Sequence, residues 1–235
     1  MWWKRWPGMS DRPVTIFFDV NETLSDLSTI GDAFATLGAD RHWATTWFSN
    51  ILRDGFALTS AGSDAKFADI ARNTARGVLH TLPLDLGLDA AVDVVMDALM
   101  SVHLHPDVAG GIRSLHEAGH RLFTLSNGST ASAERMLREA GILTAVDGLL
   151  SVEGHSPWKP ARASYLDALA RTSTEGPAYL VAVHPWDIHG AASAGLSTVW
   201  INRSGALYPG HFHTPTFVTI TVGEIAGLLI PDPAA

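Results

Sequence analysis

A chain of 235 residues with 46% hydrophobic and 17% charged side chains can hold one sizeable α/β domain plus a smaller insertion, and is too apolar to be disordered. A formal net charge of −8 and the lack of any basic stripe exclude a nucleic-acid-binding surface. The absence of cysteine excludes disulfides, thiolate nucleophiles and Cys-based metal sites, and fits a cytoplasmic protein. No apolar run approaches the ~20 residues needed to cross a bilayer, so no membrane partner is expected.

Residues 1–12 read as a disordered or extension tail. The stretch from Met1 to Gly8 lacks the apolar core of a signal peptide, and its three tryptophans, Trp2, Trp3 and Trp6, make too short a piece to anchor well at an interface. The apolar run Val14 to Phe18 reads as a buried strand that ends on Asp19. A carboxylate there lies at the carboxyl end of a strand, where open parallel sheets bind ligands. Thr23, four residues on, can brace the loop. Asn21, two residues past Asp19, is an amide where an acid would be needed to protonate a leaving oxygen. Asp19 is therefore suited to attack on a group that departs without a proton.

Residues 25–104 read as a helical cap domain with no strongly strand-like run. Ser28 to Leu37, Arg41 to Thr59, Lys66 to Leu82 and Asp89 to Val102 carry apolar residues near helical spacing, broken at Gly62-Ser63 and at Pro83 to Gly87. After His105-Pro106-Asp107 helices and strands alternate. Val108 to Ala118, Ser129 to Ala140, Pro160 to Thr172 and Trp186 to Ala194 read as helices. Arg121 to Leu125, Gly148 to Val152, Ala178 to Val183, Ser197 to Ile201 and Phe217 to Ile220 read as strands. This rhythm implies βαβ units, and hence an α/β, doubly wound (Rossmann-like) parallel sheet formed by residues 13–24 and 105–235, with the cap inserted.

Several strands run straight into polar residues. Ser126 and Asn127 follow one, with Gly128 to allow a tight turn and Ser129 to cap the next helix, a donor cluster that favours an anion. Lys159 stands at the start of a helix, where the macrodipole disfavours a cation and some other group must hold it. Tyr165 falls six residues on. The last strand reaches His184-Pro185-Trp186-Asp187. Singly, these are an ordinary turn, a surface lysine, a core tyrosine, a structural imidazole and a first-turn acid. Together they put carboxylate, hydroxyl, ammonium and carboxylate at four strand ends of one sheet. The eleven histidines form no convincing helical pair, so no zinc site is expected.

The motif order resembles the haloacid dehalogenase superfamily, and more narrowly its L-2-haloacid dehalogenase (type II) group. The resemblance spans about residues 13 to 205. It rests on Asp19 with Thr23, on Leu125 to Ser129, on Ser151-Val152 ahead of Lys159-Pro160 with Tyr165, and on Trp186-Asp187 with Gly190-Ala191. It implies that Asp19 displaces halide from a small 2-haloacid, forming an ester that water then hydrolyses, with no cofactor or metal. It implies that Lys159 keeps Asp19 ionised, and that Asp187 pairs with Lys159 and orients or deprotonates the water. It further gives Ser126 to the substrate carboxylate, Asn127 to the halide, Thr23 to the nucleophile loop and Tyr165 to positioning the site, and it favours a homodimer. Arg41 is the nearest counterpart of the group's halide-binding arginine.

The chain also departs from the group. Asn21-Glu22 stands where the group has tyrosine-glycine, and Ala182-Val183-His184-Pro185 stands where it has a serine-serine-asparagine run and an alanine. His184 thus takes the place of the amide that helps hold the water. Two other readings stay open at this point: a magnesium-dependent phosphatase of the same superfamily, disfavoured by Asn21 and Val183, and a binding protein that kept the fold, disfavoured by the joint presence of Asp19, Lys159 and Asp187.

Overall fold

The computed structural model describes residues 13–229; the expected tail at residues 1–12 lies outside them. The central sheet has six parallel strands: β1 (Thr15–Phe18), β4 (Arg121–Ser126), β5 (Gly148–Ser151), β6 (Ala178–Ala182), β7 (Ser197–Ile201) and β8 (Phe217–Thr219), in the order β5-β4-β1-β6-β7-β8. Around it lie α5 (Val108–Glu117), α6 (Thr130–Glu139), α7 (Arg162–Arg171), α8 (Pro185–Ser193) and the short α9 (Ile225–Leu229).

β1 shows why the sheet is buried on both faces. All four of its residues are buried. Phe17 packs with Phe123 and Leu180 toward one face, while Ile16 and Phe18 pack with Leu122, Val181 and Val199 toward the other. A strand without a polar face can only be the middle of a doubly covered sheet. Truncating Phe17 would cost about 3–5 kcal/mol in this close-packed setting.

The cap consists of α1 (Ser28–Thr36), α2 (Trp43–Ser60), α3 (Phe67–Leu79) and α4 (Leu88–Met100). On α3, Phe67, Ile70, Ala71, Thr74, Ala75 and Val78 recur at spacings of three and four and are all buried, as an amphipathic helix requires. Trp47 is wholly buried and donates its indole N–H to the Ala71 carbonyl at 2.9 Å, which locks α2 onto α3. The cap also grips the sheet domain. The Phe67 ring stacks on Trp158 at 5.7 Å, the Phe67 amide donates to Glu153 at 2.8 Å, and the Trp158 amide donates to Thr59 at 3.2 Å. A Cβ on Gly55 would overlap the Trp158 ring, so α2 approaches that closely only because residue 55 is glycine.

The stretch 25–104 is not wholly helical. β2 (Ser25–Asp26) and β3 (His103–Leu104) pair antiparallel where the chain leaves and re-enters the sheet domain. Two residues are too few to show a period-two pattern, so this ribbon is invisible in sequence. The His105 amide donates to the Leu24 carbonyl at 2.9 Å, and the same crossing is braced by Arg203, which reaches Asp107 and the Thr23 carbonyl. α9 leaves no mark in the sequence either, since five residues carry too little periodicity to announce a helix.

Candidate active site

Going from β1, the chain continues to β4 and β5 on one side; from β6 it continues to β7 and β8 on the other. The crevice between the carboxyl ends of β1 and β6 is therefore the switch point, where ligands of such sheets bind. Asp19 leaves β1 there, and His184 leaves β6 beside it. The loop after β1 is tied to β6 twice: the Asp19 amide donates to the Val181 carbonyl at 3.0 Å, and the Val183 amide donates to the Thr23 hydroxyl at 3.1 Å. That hydroxyl in turn donates to Asp19 Oδ2 at 2.7 Å.

Lys159 is the centre of the buried network. It is fully enclosed, and its Nζ donates to Asp19 Oδ1 at 2.9 Å and to Asp187 Oδ2 at 2.6 Å. Removing an ammonium from water costs several kcal/mol, and only such close carboxylates offset it. Burial acts to lower the Lys159 pKa, but the charges of Asp187 and Asp19 outweigh it, so the group is held above its ordinary value. Burial acts to raise Asp19; Lys159, His184 and the hydrogen bond from Thr23 reverse this, and Asp19 is held below its ordinary value. Asp19 is thus anionic at neutral pH. Asp187 ends on the other side, its pKa raised chiefly by burial and, against the pull of Lys159, by the nearby Asp19 charge.

Tyr165, on α7 and wholly buried, donates to Asp187 Oδ1 at 2.6 Å, so both Asp187 oxygens are bonded and none of Asp187 meets solvent. Burial, followed by the Asp187 charge, pushes the Tyr165 phenol well up, which keeps it a donor. Gly190 makes this approach possible, because a Cβ there would collide with the Tyr165 hydroxyl and the Pro160 carbonyl. Asp187 sits in the first turn of α8, with Pro185 at its start and His184 at its N-cap, a favourable place for an anion. Asp187 is thus built into the lysine's surroundings, each of its oxygens taking one hydrogen bond.

Lys159 does not stand at a helix start as expected. α7 begins at Arg162, because Pro160 keeps the residue before it out of helical conformation, and the macrodipole conflict is removed. Asn127 holds the lysine's backbone instead, accepting from the Lys159 amide at 2.8 Å and donating to its carbonyl at 3.1 Å, which leaves the amide group one N–H to offer. Ser126 Oγ accepts from the Gly128 amide at 3.0 Å and keeps its own hydrogen available. Ser129 occupies the N-cap of α6, yet its side chain makes no capping bond.

A cavity of about 720 Å³ opens on the His184 side of this network, lined by Glu22, Arg41, Phe48, His105 and His184 among others, with Asp19, Lys159 and Asp187 outside its lining. His184 is 13% exposed, stacked on Trp186 at 4.9 Å and facing Phe48 at 6.3 Å. Its Nε2 lies 3.3 Å from the Asn21 carbonyl, 3.5 Å from Glu22 Oε2 and 3.8 Å from Asp19 Oδ2. Three acceptors around one nitrogen make it a donor. Asn21 enters through this carbonyl. Arg41 is at the cavity wall, 59% exposed and ion-paired with Asp32. The structure thus gathers Asp19, Thr23, Ser126, Asn127, Lys159, Tyr165 and Asp187 into one buried cluster, with Asn21 and His184 at its rim and Arg41 farther out.

Glu22 is the site residue that sequence reading passed over. It has φ 60°, a left-handed backbone unfavourable to any side chain, and its carbonyl accepts from His105 Nε2 at 3.1 Å. The signal was present: glutamate at a position where the resembled group has glycine. Among the described residues, no group of three or more His, Asp or Glu is arranged to hold a metal ion.

Residues 14–195 match the family model described as haloacid dehalogenase-like hydrolase. The chain belongs to the haloacid dehalogenase-like hydrolases. Within that family it is 27% identical over 217 residues to the haloacetate dehalogenase H-2 of Moraxella sp. (strain B), covering 91% of this chain and 96% of the relative. It is 29% identical over 219 residues to an (S)-2-haloacid dehalogenase of Pseudomonas sp. (strain YL), covering 91% and 93%. Among solved structures, a dehalogenase superposes with a TM-score of 0.87 at 25% identity, over 95% of this chain and 100% of that one. The L-2-haloacid dehalogenase of Xanthobacter autotrophicus superposes at 0.81 with 21% identity, over 93% and 98%, which shows the shared fold of these hydrolases.

Proposed function

We propose that this hydrolase cleaves the carbon–halogen bond of a short 2-haloacid. The observation that carries the reading is a strand-end carboxylate, Asp19, held anionic by Lys159 at 2.9 Å, with an amide at position 21 in place of an acid. Asp19 attacks the halogen-bearing carbon, the carbon–halogen bond breaks, and halide leaves as a stable anion that requires no proton. Water then adds to the Asp19 carboxyl carbon of the resulting ester. The bond from that carbon to the substrate-side oxygen breaks, releasing a 2-hydroxy acid and restoring Asp19. The Thr23 hydroxyl donates to Asp19 Oδ2, and His184 Nε2, bonded to the Asn21 carbonyl, lies 3.8 Å from the same oxygen; both stabilise charge that develops there as water adds. The Ser126 hydrogen, the remaining Asn127 N–H and Arg41 are the donors to the substrate carboxylate and the halide. The printed activities of the relatives at 27% and 29% identity support the same substrate class.

Halide release from chloro-, bromo- and fluoroacetate and from both enantiomers of 2-chloropropionate tests this directly. Release from at least one acid without added metal is expected; none from any acid, alongside metal-dependent hydrolysis of an aryl phosphate, would overturn it. A homodimer is part of the proposal, supported by the resemblance, and a monomeric mass by light scattering would remove it.

A further inference from the structure

Asp187 is enclosed between Lys159 and Tyr165 and lines neither cavity, whereas the second half of the reaction needs a base that meets water. Water adding to the ester must lose a proton, and a group that accepts it has to meet both the cavity and the neighbourhood of Asp19. The nearby carboxylates can be sorted by their partners. Asp187 is bonded at both oxygens and wholly buried. Asp107 is held by Arg203 and by the Val222 amide, and Asp26 accepts from the Ser28 amide at 2.9 Å. Glu22 differs. Among the described residues no hydrogen bond reaches its carboxylate, its side chain is 43% exposed, and it lines both the cavity of about 720 Å³ and a second of about 440 Å³ beside it.

Two further observations place Glu22 beside Asp19. It is three residues past Asp19, and its left-handed φ of 60° is held in place by the His105 bond to its carbonyl. Such a conformation costs of order 1 kcal/mol or more for a residue with a side chain, and strained residues of this kind concentrate at active sites. His184 Nε2 then stands between the two carboxylates, 3.5 Å from Glu22 Oε2 and 3.8 Å from Asp19 Oδ2. Both carboxylates are therefore within 4 Å of one imidazole nitrogen, which places Glu22 in the neighbourhood of Asp19.

We propose that Glu22 is the general base of ester hydrolysis, with His184 as the positioning donor between it and Asp19. The step follows the reading of the site given above and rests on it. The water oxygen bonds to the Asp19 carboxyl carbon while Glu22 takes one water proton, and the carbonyl pair moves onto Oδ2. Collapse re-forms the carbonyl and breaks the bond to the substrate-side oxygen. Glu22 gives its proton to that departing alkoxide, forming the 2-hydroxy acid, and the restored Asp19 carboxyl group releases the second water proton to solvent. In the free enzyme the Glu22 pKa is raised chiefly by burial, against the pull of His184 and with help from the Asp19 charge, which is gone once the ester has formed.

The test is rapid-quench kinetics of Glu22→Gln, which keeps the side chain's shape, with the best haloacid and intact-mass detection of the protein. The expected result is a full halide burst of about one per site, a steady-state rate lowered about 100- to 10,000-fold, and an ester on Asp19 that accumulates. Wild-type turnover by Glu22→Gln would overturn the proposal, as would loss of the burst with no ester, since Glu22 would then act before the ester forms. Wild-type protein that releases no halide at all would instead remove the parent reading, and the role of Glu22 with it.

Discussion

Two parts of the site are built on opposite terms. Around Lys159, every charged atom has a partner at 2.6–2.9 Å, and of the three charged groups only Asp19, 4% exposed, meets solvent. At the rim, Glu22 and His184 face one another at 3.5 Å, in contact with a cavity, on a backbone that disfavours its own side chain. The contrast is chemical. Generating a nucleophile needs a fixed charge in a dry place, which the inner network supplies. Releasing it again needs water and a proton acceptor in contact with it, which the rim offers. A buried ring and an open rim are the division that a two-step displacement demands.

The contrast breaks first at Asp19. Asp19→Asn removes the attacking carboxylate but keeps the shape, and halide release should fall by at least about 10,000-fold while circular dichroism stays native. Any sizeable residual burst would move the chemistry away from Asp19. Lys159→Met comes next, since it leaves two buried carboxylates facing each other without a cation. Denaturant unfolding should show a loss of about 3–5 kcal/mol, and the burst should vanish along with turnover. A stable, active variant would show that the ring does not depend on its lysine.

A pH series sharpens the same comparison. Asp19 is held below its ordinary value of 3.8, so its nucleophilic form, and the burst, should survive to a pH below that value. Glu22 is raised above its ordinary 4.5 chiefly by burial, a cause that the ester keeps although it removes the Asp19 charge, so its basic form is lost at higher pH than that of Asp19 as pH falls. Turnover should therefore fail before the burst does, with ester accumulating in the interval; coincident acid limbs would contradict the assignment of different groups to the two steps. The smallest effect is expected from Tyr165→Phe, which deletes one hydrogen bond to a buried carboxylate. It should cost about 1.5–3 kcal/mol in stability and slow both steps together, because Tyr165 acts through the Asp187–Lys159 pair; an effect on hydrolysis alone would place it at the rim.

How much could be read from sequence follows the same line. Asp19, Ser126 and Asp187 lie at or just past apolar runs that could only be buried strands, so the positions of the ring follow from strand ends. Lys159 also stands where the chain returns from β5 toward α7, although its helix begins two residues later than Pro160 suggested. The rim is different. Glu22 acquires its place from a backbone angle and from His105, 83 residues away, and neither leaves a local pattern. The β2–β3 ribbon that joins cap to sheet is equally silent, since two-residue strands have no periodicity to detect. The solvent exclusion that takes Asp187 out of reach of water is a property of packing around Tyr165 and Lys159, and no spacing along the chain encodes it.

The central claim is that an ester forms on Asp19 and is opened by water at the carboxyl carbon of Asp19. A single turnover in heavy-oxygen water, followed by mass analysis of the peptide carrying Asp19, tests it most directly. The account predicts that the heavy oxygen enters the Asp19 side chain in the first turnover and appears in the hydroxy acid only in later ones. Label found in the first product, with none in Asp19, would mean that water attacks the substrate itself and would contradict it.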